Sequence, residues 1–114
     1  MELQIITKKS DFINIIDNNE YVIVYCGLTF CAPCNKIYPI YEDLVNQHPN
    51  ITFCKIILDT LDDESDTYIR DFLKLSKFPT FTLLNNGVIL DSFMGPYNDK
   101  LINMINSITG DDDF

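Results

Sequence analysis

The sequence predicts an α/β domain, a mixed five-stranded sheet with helices on both faces, in the order β-α-β-α-β-α-β-β-α. Three observations carry that prediction. Residues 21–26, Tyr-Val-Ile-Val-Tyr-Cys, are apolar or aromatic without alternation, the pattern of a central strand covered on both sides. Ile37, Ile40, Tyr41, Leu44 and Val45 recur at helical spacing, so the next segment is an amphipathic helix that covers one of those sides. Asn85-Asn86-Gly87 then separates two strand-like runs late in the chain, which marks an antiparallel hairpin.

The remaining elements follow in order. Leu3-Gln4-Ile5-Ile6 reads as a short first strand, and Ser10-Asp11 as the cap and acidic first turn of a helix with Phe12, Ile13 and Ile16 inward, ended by Asn18-Asn19. The helix after the central strand spans 32–47, with Pro39 expected to kink it and His48-Pro49 to close it. A third strand occupies 51–58. Residues 60–67 are acidic and polar and read as a solvated loop, before a helix with Tyr68, Ile69, Phe72 and Leu73 on one face. The hairpin strands fall at 81–84 and 88–93. Gly95-Pro96-Tyr97 is a loop, and Asn98 is the expected cap of a last helix with Leu101, Ile105 and Ile108 inward. Residues 1–108 therefore form a single domain, and 109–114 an acidic tail.

Charge narrows the function. Seventeen acidic residues against eight Lys+Arg leave a net charge of −9, and no basic cluster is present to neutralise phosphates, so nucleic acid is not an expected partner. The longest mostly apolar run, 21–34, is broken by Gly27, Thr29 and Pro33 and is too short for a bilayer span. The first lysines follow the first apolar residues, the reverse of a signal peptide. The expected location is the cytosol, where four cysteines read as one reactive pair plus two reduced thiols.

The reactive pair is Cys31 and Cys34, in Phe30-Cys31-Ala32-Pro33-Cys34. C-x-x-C alone occurs in zinc sites, in redox sites and by accident, but between a buried strand and a helix start it reads as redox. Free N–H groups and the positive end of the helix dipole favour a thiolate there, and Pro33 fits a first turn whose N–H has no partner to lose. Zinc as a rule needs four ligands, and the single histidine, His48, lies about four helical turns from Cys34. No metal is expected.

This stretch resembles the active-site loop of the thioredoxin family, in which an aromatic residue precedes C-G-P-C. Pro39 five residues after Cys34, Phe78-Pro79-Thr80 as the cis-proline turn, and Gly87 and Gly95 extend the resemblance to about residues 2–108. It implies a thioredoxin fold and a reversible Cys31–Cys34 disulfide, with Cys31 as nucleophile and Cys34 as the resolving thiol. It implies a cis peptide at Pro79, facing the dithiol, and a docking surface of Phe30, Ala32, Pro33, Phe78, Gly95 and Pro96. The implied activity is reduction of protein disulfides without a bound cofactor, on target proteins that carry disulfides, with electrons from a separate disulfide reductase. Two other readings are a thioredoxin-fold binding module with little turnover and a dithiol oxidase or isomerase.

Two positions depart from or add to that pattern. The family's buried aspartate on the central strand is Tyr25 here, while Lys55 matches its lysine partner and becomes a candidate proton relay for Cys34. Cys26 and Cys54 fall on neighbouring strands facing one helix layer, and reduced core packing is the favoured reading.

Overall fold

A computed structural model of the chain describes residues 2–110. Five strands, β1 (Gln4–Ile5), β2 (Tyr21–Gly27), β3 (Thr52–Ile57), β4 (Thr80–Asn85) and β5 (Val88–Met94), form one sheet in the order β1-β3-β2-β4-β5. The pairs β1–β3 and β2–β3 are parallel, and β2–β4 and β4–β5 antiparallel, so the sheet is mixed as predicted. Four helices cover it: α1 (Lys9–Asn18), α2 (Ala32–Gln47), α3 (Asp63–Leu73) and α4 (Asn98–Thr109).

Because successive side chains of a strand point to opposite faces, β2 divides the core in two. Ile23 and Tyr25 pack with Cys34, Ile37 and Tyr41 of α2 and with Leu101, Met104 and Ile105 of α4. Val22, Val24 and Cys26 pack on the other side with Phe12 and Ile16 of α1 and Ile69 and Leu73 of α3. Residues 22–27 are all buried, which is why their sequence shows no alternation. Tyr41 ties α2 to the sheet: its hydroxyl donates to the Cys54 carbonyl at 2.7 Å and lies 3.1 Å from that of Ile23. The helix α2 runs through Pro39, which sits on its exposed side, and ends at the His48 cap as expected.

Three helix starts differ from the sequence reading. In α1 the first helical residue is Lys9, and neither Ser10 nor Asp11 caps it; the Lys9 N–H instead donates to Ser65 Oγ of α3 at 2.8 Å. The acidic run is not a loop. Asp62 is the cap of α3, accepting from the Ser65 N–H at 2.7 Å, and Asp63, Glu64 and Asp66 form its first turn, where carboxylates complement the free N–H groups and the helix dipole. Leu58–Thr60 is a 3-10 turn in the connection from β3. Asn98 is the first residue of α4 rather than its cap.

The hairpin turn is Asn86-Gly87, with φ of +50° and +82°, the left-handed pair that a tight two-residue connection requires and that Asn-Gly adopts most readily. Leu83 pairs with Asp91 but Leu84 with Ile89, so Leu90 is an extra, bulged residue on the edge strand. The last helix reaches Thr109 and is capped by Gly110; residues 111–114 of the predicted tail lie outside the described residues. No helix among the described residues is long and apolar enough to cross a membrane.

Candidate active site

Strand β2 delivers the chain to the end of the sheet, and Leu28-Thr29-Phe30 carries it over to α2. That crossing is held from below: Asp59 Oδ1 accepts from the Thr29 N–H at 2.9 Å and from its hydroxyl at 3.0 Å. These bonds hold the Asp59 carboxyl below the usual carboxylate range. Cys31 follows as the cap of α2 in extended conformation (φ −149°, ψ 98°), and its sulfur accepts from the Cys34 N–H at 3.3 Å. A thiolate at this position is stabilised by an N–H already aimed at it and by the helix dipole.

Cys31 and Cys34 are joined as a disulfide, with Cα atoms 5.2 Å apart. The two sulfurs are unequally placed: Cys31 is half-buried, whereas Cys34 is 1% exposed and belongs to the α2-side core. Ala32 and Pro33 are exposed in the first turn, and Phe30 is 95% exposed beside Cys31.

The other wall comes from the far end of the chain. The Phe78–Pro79 peptide is cis, as the resemblance implied, and the Phe78 carbonyl oxygen lies 3.9 Å from Cys31 Sγ. The Gly95 N–H donates to the Pro79 carbonyl at 2.8 Å, which brings Gly95 and Pro96 to the same rim. The Phe78 ring has the Arg70 guanidinium 5.4 Å from its centroid, and Arg70 is ion-paired with Asp66 at 2.6 Å. The fold thus gathers Cys31, Cys34, Phe78, Pro79, Gly95 and Pro96 at one end of the sheet, with Phe30 projecting outward.

Next to Cys34 in the α2-side core is Tyr25, and its neighbour on the adjacent strand is Lys55. They are paired in register on β2 and β3, and they line a crevice of about 310 Å3 with Leu28, Thr29, Asn35, Tyr38, Ile57 and Thr60. The Lys55 ammonium sits over the Tyr38 ring, 4.2 Å from its centroid. Burial pushes the Tyr25 phenol up to about 12, with Tyr38 and Cys26 adding to the shift. Cys26 and Cys54 are free and buried in the opposite core; burial pushes the Cys54 thiol up to about 12 and the Cys26 thiol higher, with Cys54 as a second cause there. Among the described residues no three His, Cys, Asp or Glu side chains are grouped to hold a metal ion.

Three contributors escape the sequence reading. Asp59 looks like part of an acidic connection until the fold sets it under Thr29. Tyr97 stands against Gly95, its ring occupying the space a Cβ would need at 2.5 Å, so it joins the rim. Gly27 leaves room for the Tyr25 hydroxyl. A glycine closing an otherwise bulky buried strand was the one visible signal for the last of these.

A capped, half-buried cysteine bonded to a buried one at the start of a helix, facing a cis proline across the end of a mixed sheet, is matched by the thioredoxin family model over residues 3–107. The chain belongs to the thioredoxin family. It is 28% identical over 103 residues to thioredoxin 1 of Plasmodium falciparum, covering 90% of this chain and 94% of that one. It is 34% identical over 85 residues to thioredoxin H1 of Arabidopsis thaliana, covering 75% and 70%. A solved Plasmodium falciparum thioredoxin is similar in structure with a TM-score of 0.83 at 28% identity, covering 91% of this chain and 97% of that one. Thioredoxins are protein-disulfide oxidoreductases, and the activity of this member is thiol–disulfide exchange.

Proposed function

We propose that this thioredoxin-family protein reduces disulfides of target proteins in the cytosol and is itself returned to the dithiol by a separate disulfide reductase. The observation that carries the direction of attack is the 3.3 Å contact of the Cys34 N–H with the Cys31 sulfur. Cys31, half-buried and capped, attacks a target disulfide as a thiolate; one target sulfur leaves as a thiolate and the other stays bonded to Cys31. Cys34 then attacks Cys31 Sγ, the second target thiolate leaves, and the Cys31–Cys34 disulfide closes. Reduction of that disulfide by the reductase runs the same exchange in reverse, with no bound cofactor.

The target peptide docks on Phe30, Ala32, Pro33, Phe78, Gly95 and Pro96, with Pro79 beside the dithiol. Exposed apolar rings around a reactive sulfur favour this, because burying them against a peptide releases water-exposed area. Lys55, which lines a crevice with Tyr25, is the relay that passes the Cys34 proton to solvent. Two cysteines left unpaired in the core support a reducing compartment.

The test is catalysed reduction of insulin disulfides by dithiothreitol, followed with the wild type and Cys31→Ser. Multiple turnovers by the wild type and none by Cys31→Ser are expected. Absence of turnover with intact one-step capture of a target would favour a binding module, a reading to which the loss of the family's aspartate at position 25 lends support. Faster oxidation of a reduced peptide than reduction of insulin would make the protein an oxidase or isomerase.

A further inference from the structure

The space behind Cys34 is occupied by a phenol. A Cβ built on Gly27 would stand 2.6 Å from the Tyr25 hydroxyl oxygen and 3.4 Å from Cys34 Sγ, so hydroxyl and sulfur flank one point, and the hydroxyl reaches it only because residue 27 has no side chain. The Tyr25 ring is fixed there by Tyr38, Tyr41 and Phe81, with centroids 5.2, 5.5 and 5.5 Å away. The Tyr25 hydroxyl is thereby held close to Cys34 Sγ, and Tyr25 also lines the crevice that it shares with Tyr38 and Lys55. A hydroxyl fixed beside a sulfur is placed to donate to it once that sulfur is charged, because a charged acceptor strengthens the bond.

We propose that Cys34 is its acceptor in the open dithiol: the Tyr25 hydroxyl donates a hydrogen bond to the Cys34 sulfur whenever that sulfur carries negative charge. The inference rests on the exchange reading above and assigns a donor to its buried thiol. In resolution, the Cys34 proton passes to solvent, the Cys34 thiolate attacks Cys31 Sγ, the Cys31–target bond breaks, and the electron pair leaves on the target thiolate. In reduction of the closed disulfide, an incoming thiolate bonds to Cys31 and the pair of the broken bond stays on Cys34. Both steps place charge beside the same hydroxyl, and both are eased by one donor held in place.

The other titratable groups around Tyr25 are Tyr41 in the same core, Cys31 and Tyr38 packed against that core, and Lys55, which lines the crevice with Tyr25 and Tyr38; Phe81 of β4 adds an apolar ring against Tyr25. The crevice lining contains no carboxylate. With its phenol pushed up to about 12, Tyr25 stays protonated through the range in which thiols titrate. It therefore acts as a donor at every working pH and never as the base.

The experiment is stopped-flow reaction of the reduced protein with dithiodipyridine, which releases one absorbing thiopyridone when Cys31 attacks and a second when Cys34 resolves. In Tyr25→Phe, which keeps the ring, the second phase should slow about tenfold at pH 7 and its pH midpoint should rise by about one unit, the loss of one hydrogen bond to a charged atom. The first phase should be unchanged. Gly27→Ala should slow the second phase in the same way, because its Cβ displaces the hydroxyl, and it carries the test if Tyr25→Phe does not fold. A second phase of unchanged rate and midpoint in Tyr25→Phe overturns the proposal. Release of no thiopyridone by the wild type overturns the exchange reading itself and this inference with it.

Discussion

Asp59 and Thr29 are joined by two hydrogen bonds to a single carboxylate oxygen, at 2.9 Å from the amide and 3.0 Å from the hydroxyl. Asp59 follows the last residues of β3, and Thr29 is two residues before Cys31. The pair therefore sets the loop that presents Cys31 against the strand that ends beside it. Because the bonds favour the ionised form, the Asp59 carboxyl is held low, and what it contributes to the loop is present above the ordinary aspartate value of about 3.9 and lost as pH falls through the lower folded value. The protection factor of the Thr29 amide should be high at neutral pH, lower in Asp59→Ala, and lower in the wild type only as the pH falls through the depressed Asp59 value, below the ordinary aspartate value of about 3.9. Equal protection in wild type and variant would show that the loop holds itself.

Cys31 should be alkylated first among the four thiols of the reduced protein. It alone combines partial exposure with the cap of α2, while burial pushes Cys54 up to about 12 and Cys26 higher still. Mass mapping of iodoacetamide adducts against time at neutral pH checks the order. Early modification of Cys26 or Cys54 would mean that their strands open.

Cys34→Ser should accumulate mixed disulfides with target proteins, since Cys31 can attack but nothing resolves. Non-reducing electrophoresis of complexes formed with a defined disulfide peptide reads the outcome. Cys31→Ser should form few, because Cys34 is buried; equal trapping by the two variants would remove the division of labour.

Phe30→Ser should leave stability within about 0.5 kcal/mol, as expected for a surface site, because the ring is 95% exposed. Its effect belongs on recognition: a higher KM for a protein disulfide with little change in attack on a small aromatic disulfide. Unaltered KM for insulin would take Phe30 out of the docking surface.

Tyr41→Phe should cost about 1 kcal/mol in urea unfolding, the usual worth of one buried hydrogen bond. Its hydroxyl is the group that pins α2 to the β3 carbonyl of Cys54 at 2.7 Å, within the α2-side core. A loss below 0.3 kcal/mol, near the scatter of such measurements, would mean that the ring alone supplies the anchoring.

What the sequence by itself determined is whatever local chemistry encodes. Residues 21–26 announce a strand buried on both faces because none of them is suited to water; Asn86-Gly87 announces a turn because both can take positive φ; the C-x-x-C pair announces a capped helix because its spacing places one sulfur over the amide of the other. The span of α2 was legible for the same reason. Tertiary structure decided the rest, wherever a group finds its partner far along the chain. Lys9 is capped by Ser65 across 56 residues, Thr29 is held by Asp59 across 30, and Cys31 meets the Phe78 carbonyl across 47. The misread starts of α1 and α3 belong here too: Ser10 resembled a cap, but the free Lys9 N–H was satisfied from a neighbouring helix. Tyr25 is the sharpest case. Its place on the central strand is written in the sequence, whereas the approach of its hydroxyl toward Cys34 depends on the packing of α2 against β2 and on the missing side chain of Gly27, a matter that no local propensity carries.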